Sequence, residues 1–276
     1  MFRVTLGVQL SSWSEEQGGG MPPLRTLLRQ VQAGGFKAFE VYYNDLQAWG
    51  LGVAELKEML SDGWMTMSSA RCFVSMSDPT YRTAELEELG RMARFLNKMG
   101  CEFLVLAAGQ ERGGQALAYL AETLDEAGAI CLAEGVKLAF HSKYGSTVQT
   151  ADELARLVES TQPQHVWLAP DTGQWFRGGI NVGKAFADYA SRIGYVHASD
   201  VDPQGRPRPL GAGKVDFHTL RNVLDETNYT GWVIAEDRSE EVKMTGAAES
   251  ARGSSLFLQR VLAAAADGRC VATLNF

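Results

Sequence analysis

The chain has 276 residues, a net charge of −7, 45% hydrophobic and 21% charged residues. No apolar run reaches the ~18 residues that a membrane span needs, and the length and balance suit a soluble α/β barrel. Its densest basic stretch, Arg206 to Lys214, is short and broken by Pro and Gly, which argues against nucleic acid and for a small uncharged partner.

The opening MFRVTLGVQL enters a strand pattern with no basic-then-apolar leader, so a cytoplasmic protein is expected. Val4–Leu10 reads as strand one and Pro23–Ala33 as its helix; the glycines at 18–20 between them read as a loop. Ala38–Tyr43 is strand two, with a helix near Val53–Ser61. Trp64–Ser69 is a weaker third strand, followed by a helix over Thr83–Met99. Phe103–Ala107 is wholly apolar, as befits a strand buried on both faces, and precedes a helix over Gln115–Glu134. Val136–Phe140 is strand five. Its helix, Thr150–Ser160, opens with Thr150 and Glu153 at capping-box spacing. Val166–Ala169, Ile193–Ala198 and Gly231–Ala235 are strands six to eight, with helices over Val182–Tyr189, Asp216–Thr227 and Ala247–Ala265. The tail, residues 267–276, would pack on the barrel or on a partner.

Eight strand–helix pairs in this length predict one closed (β/α)8 barrel domain over residues 1–276. An open doubly wound sheet would want a Gly-rich phosphate turn after strand one, and SSWSEEQGGG does not supply GxGxxG there. The four cysteines (Cys72, Cys101, Cys131, Cys270) are far apart and form no CxxC pair, so they read as reduced and structural.

Barrel chemistry sits at the C-terminal ends of the strands. Strand two carries Glu40. Strand five ends in His141, strand six in Asp171, strand seven in His197 with Asp200 beyond it, and strand eight in Glu236 followed by Asp237. Four consecutive strands thus end in a side chain able to bind a divalent cation. Each has an ordinary alternative: a carboxylate after a strand often caps the next helix, and a lone histidine is often a satisfied buried one. Glu40 could equally be an interior carboxylate bonded to backbone. Lys143, beyond strand five, either contacts substrate oxygens or is solvated. The PLGAGKVDF run reads as a tight loop near the site or a plain turn. Trp13 and Trp175 either face a sugar or fill the core.

At these residues the chain resembles the xylose-isomerase-like sugar phosphate isomerase/epimerase superfamily of TIM barrels. The resemblance runs through GVQLSSW, FEVYY, PDTGQW, YVHASD, GAGKVDF and WVIAED. It implies a divalent metal at the barrel mouth, Mn²⁺ first, with Mg²⁺, Co²⁺, Fe²⁺ or Zn²⁺ as alternatives. Asp171, His197 and Glu236 take the ligand positions, and His141 completes the sphere or acts as acid or base. Two departures bear on the reaction. The epimerases place a Glu on strand five, where this chain reads LAFHSKYGS; its FHSKYGSTVQT is instead similar to the inosose dehydratase branch. Gln174 stands where most relatives have a substrate-contacting His.

The resemblance therefore implies proton removal beside the carbonyl of a keto sugar or keto cyclitol, through an enediolate, by Glu236 and His141. Glu40, Lys143, Gln174 and Trp13 are the expected substrate contacts. Without the strand-five Glu, elimination (a dehydratase or lyase) is expected ahead of isomerisation or epimerisation. A non-catalytic sugar-binding barrel subunit is the remaining reading. Endonuclease chemistry is rejected, because four histidines and an acidic surface do not support it. No nucleic-acid or membrane partner is expected, and a homo-oligomer is left open.

Overall fold

The fold follows from eight short strands, each too apolar to leave a face in water. The computed structural model describes residues 4–16, 20–109, 111 and 113–263. Most of the expected 18–20 loop, the tail at 267–276 and Cys270 lie outside them. The barrel strands are β1 (Thr5–Gln9), β2 (Ala38–Tyr42), β3 (Thr66–Val74), β4 (Phe103–Ala108), β5 (Lys137–Phe140), β6 (Val166–Leu168), β7 (Tyr195–Ala198) and β8 (Trp232–Ala235). Neighbours pair in parallel from β1 through β6, and β8 pairs with both β1 and β7. Two parallel bridges, Leu168 to Ile193 and Asp171 to His197, join the β6 and β7 segments. The sheet is thus a nearly closed barrel with helices between its strands.

Two apolar layers hold it. Phe103, Val105, Ala139, Ala169, Tyr195 and Ile234 fill the barrel interior, with Trp167 and Trp232 against them. A larger core lies between strands and helices and includes Leu27, Leu89, Leu124, Leu154 and Leu220. Each of these leucines lies on the buried face of its own helix, as a helix packed on a sheet requires. The expected capping box is present: Thr150 Oγ1 accepts from Glu153 N–H at 3.3 Å, while the Glu153 carboxylate accepts from Thr150 N–H at 3.0 Å.

The structure differs from expectation mainly at the strand ends. The third strand runs on to Val74 rather than stopping at Ser69. Short helices follow several strands: Ser11–Glu16, Tyr43–Ala48, Thr172–Arg177 and Val242–Thr245. The GAGKVDF loop is tied down by Asp200, whose buried carboxylate accepts from the backbone N–H groups of Gly211, Gly213 and Val215 at 2.9–3.0 Å. Cys72, Cys101 and Cys131 are buried free thiols, and burial pushes Cys101 up to about 12. No helix among the described residues is long and apolar enough to cross a membrane.

Candidate active site at the barrel mouth

Alternation along a strand sends every second side chain into the barrel. The interior layer contains Ala139, Ala169, Tyr195 and Ile234. Two residues further along lie His141, Asp171, His197 and Glu236, so all four enter the same space one layer nearer the C-terminal mouth. On the opposite wall β2 contributes Glu40 and β3 contributes Arg71. All six are at most 4% exposed, and Glu40 and His197 are wholly buried.

Their hydrogen bonds form two connected sets. In the first, both oxygens of Glu40 lie 3.0 Å from His197 Nε2, and His197 Nδ1 lies 3.2 Å from His141 Nδ1. In the second, Arg71 donates from Nε to Glu40 Oε1 at 2.9 Å, and its two terminal nitrogens donate to Glu236 at 3.1 and 2.7 Å. Arg238 adds an ion pair from Nε to Glu236 Oε1 at 2.9 Å and a hydrogen bond to the Tyr42 hydroxyl. Such bidentate guanidinium–carboxylate pairs are among the stronger and more directional hydrogen bonds in proteins.

The charges follow from these contacts. Burial raises the Glu40 and Glu236 carboxyls, but the neighbouring Arg71 outweighs it, helped at Glu236 by Arg238. Glu40 is held below the ordinary carboxylate range and Glu236 well below it. Asp171 goes the other way: burial and the Glu236 charge raise it. Burial, reinforced by the Arg71 charge, holds His141 well below the usual imidazole value, so it is neutral.

The expected site residues are distributed unevenly. His141, His197, Glu236 and Glu40 meet around Arg71. Asp171 borders them but also caps the following helix, accepting from Gln174 N–H at 2.8 Å. Gln174 is half-buried, and its side-chain oxygen accepts from Tyr144 N–H at 3.1 Å. Lys143 is exposed, with its ammonium 5.8 Å from the Phe73 ring centroid. Trp13 is 1% exposed and belongs to the large core, and Trp175 donates its indole N–H to Ser142 Oγ at 2.7 Å. Sequence reasoning missed Arg71, Arg238 and Tyr42. The signal for Arg71 was available: an arginine inside TMSSARCFV, two residues past Ser69, has strand parity.

The resemblance implies a divalent cation on Asp171, His197, Glu236 and His141. These side chains gather, yet among the described residues no three His, Cys, Asp or Glu are disposed to hold one ion. Glu236 accepts from two guanidiniums, His197 faces Glu40 on one nitrogen and His141 on the other, and Asp171 Oδ1 accepts from Ser199 and Gln174. A dication on Glu236 would also face two positive charges. Unit charges 4 Å apart interact by about 4 kcal/mol at an effective protein dielectric, and a double charge doubles that. As arranged, this donor set does not fit a divalent ion.

Comparison with known proteins agrees with the barrel. The model of the xylose isomerase-like TIM barrel family matches residues 28–261. The inosose dehydratase of Geobacillus kaustophilus is 30% identical over 216 residues, spanning 66% of this chain and 70% of that protein. A structure of the IolI protein with a binding zinc atom superposes with a TM-score of 0.81 at 17% identity, over 94% of this chain and 98% of that one. An L-ribulose 3-epimerase structure superposes with a TM-score of 0.72 at 20% identity, over 95% of each chain. The chain belongs to the xylose isomerase-like TIM barrel family.

Proposed function

We propose that this protein is a dehydratase (lyase) of a small keto cyclitol or keto sugar, with His141 as the proton-transfer group. The carrying observation is the row Glu40–His197–His141. A carboxylate only accepts hydrogen bonds, so His197 donates to Glu40 from Nε2. In the tautomer we propose, His197 accepts at Nδ1 and His141 donates to it from Nδ1. That leaves the lone pair of His141 on Nε2, the nitrogen that no described residue engages. Buried and neutral, His141 presents an unprotonated nitrogen toward the mouth, the form in which an imidazole accepts a proton.

The reaction then runs through this chain's own groups. His141 Nε2 takes the proton from the carbon beside the carbonyl, and the electron pair moves onto the carbonyl oxygen as an enediolate. Arg238 and the Tyr42 hydroxyl lie together on the Glu236 side of the mouth and are suited to stabilise that oxygen. The imidazolium returns its proton to the β-hydroxyl, which leaves as water and yields the unsaturated ketone. Glu236, bound by two guanidiniums, positions them and is a poor base.

The inosose dehydratase relative supports a cyclitol ketone as the substrate class. Epimerisation would need a second proton donor on the opposite face of the carbon, and Glu236 is already committed to Arg71 and Arg238. The metal dependence that the resemblance implies has its support in the zinc-bearing neighbour, whereas the donor set here opposes it. The test is the absorbance of an unsaturated ketone on incubation with a keto-cyclitol and keto-sugar panel. Growth of the band with the native chain and its loss in His141→Ala support the reading. No band with any substrate would instead favour a sugar-binding barrel.

A further inference from the structure

We propose that Arg71 is the resident cation of this site: its guanidinium is fixed between Glu40 and Glu236 and takes the carboxylates that a divalent ion would need, so the chain retains no such ion tightly. Arg71 and both carboxylates have side chains at most 3% exposed, and the Arg71 fork reaches one carboxylate on each side of the barrel. An arginine cannot give up its charge in the protein, and its planar fork matches two carboxylates at once. The Tyr42 ring, 5.7 Å from the guanidinium carbon, closes a further side. Arg71 and Arg238 together supply two positive charges against Glu40 and Glu236, the role a divalent ion would otherwise take. Substitution of Arg71 by a neutral side chain of similar length would free the Glu40 and Glu236 oxygens toward one vacated space, with His197 Nε2 beside Glu40 able to join them once its proton is released to an incoming ion. Two carboxylates and an imidazole form a donor set suited to Mn²⁺ or Zn²⁺.

The experiment reads metal retention without substrate, so this proposal and the proposed reaction can fail separately. The full-length native chain, Arg71→Met and Arg71→Lys are each equilibrated with excess Zn²⁺ or Mn²⁺, desalted and subjected to elemental analysis, with thermal melting in the presence and absence of the ion. The native chain and Arg71→Lys, which keeps the charge, should retain well under one ion per chain and show no ion-dependent shift. Arg71→Met should retain about one ion per chain and melt higher with it, because a ligand that binds only the native state stabilises it. An ion retained at about one per chain by the native protein overturns the proposal, and so does a folded Arg71→Met that gains none. If Arg71→Met does not fold, the native chain and Arg71→Lys decide: ion-free chains support the proposal, and an ion held by either overturns it.

Discussion

Nδ1 of His141 lies 3.2 Å from Nδ1 of His197, and the far nitrogen of His197 lies 3.0 Å from both oxygens of Glu40. One carboxylate is thereby placed to set the tautomer of two rings in succession. Nitrogen-15 NMR of labelled protein should find His141 protonated on Nδ1 with a bare Nε2, and His197 protonated on Nε2. Glu40→Gln removes the charge that orders the row and should lower turnover about 10²–10⁴-fold, the range seen when a histidine loses its tautomer-setting carboxylate or a general base is removed. Unchanged turnover with a re-ordered row would separate the row from catalysis.

Glu236 pairs with two guanidiniums, one of them fully buried. Glu236→Leu should destabilise the fold by about 3–5 kcal/mol, the cost of leaving a buried charge without its partner. Urea unfolding of the two chains reads the difference. A change below about 1 kcal/mol would show that Arg71 finds water or Glu40 alone sufficient.

Acid should weaken the fold in two stages. Held well below the ordinary imidazole range by burial and by Arg71, His141 binds no proton in the folded chain near neutrality. The unfolded chain does so below about pH 6.5, so it binds more protons there and stability falls as pH falls. Glu40 and Glu236, lowered by Arg71 despite burial, add a second loss below about pH 4.3. Asp171 has the opposite sign: its raised value favours the folded state at low pH, and that contribution is lost as pH rises through its folded value. Urea midpoints measured from pH 8 down to 5 should decline, and His141→Gln should flatten the decline. Equal slopes in the two proteins would remove His141 from the account.

Gly213 is where the expected loop meets its anchor. A Cβ built there would lie 2.2 Å from Asp200 Oδ1 and 2.5 Å from Val201 O. Gly213→Ala should cost about 1–3 kcal/mol by overpacking, measured by thermal melting, whereas Gly52→Ala, with nothing near its Cβ, should cost less.

Lys143 tests the outer rim. It is exposed and lies over the Phe73 ring, so Lys143→Ala should leave the melting temperature within error. If it meets substrate oxygens, KM rises about tenfold with kcat little changed, the pattern of lost uniform binding. An unaltered KM returns Lys143 to the solvated loop.

The barrel was legible because its signals are local: eight apolar runs, each followed by a helical period. The positions of His141, Asp171, His197 and Glu236 were legible for the same reason, since each ends a recognisable strand. Their partners were not. Arg71 reaches Glu236 across 165 positions of sequence, a relationship set by barrel closure rather than by any local pattern. It was also hidden because Ser68, Ser69 and Arg71 interrupt the apolar run of the third strand. The helices Tyr43–Ala48 and Thr172–Arg177 are too short to show a 3.6-residue period. Trp13, expected to face a sugar, lies in the apolar core, because the helix that carries it packs inward directly after β1.

The most direct measurement of the account is α-proton exchange. A keto cyclitol such as an inosose is incubated in D₂O with the native chain or with His141→Ala, after exhaustive chelation, and followed by proton NMR. The proton beside the carbonyl should be lost and the unsaturated product should grow with the native chain, and neither should occur with His141→Ala. Equal rates in both proteins, or turnover restored only by an added divalent ion, would contradict it.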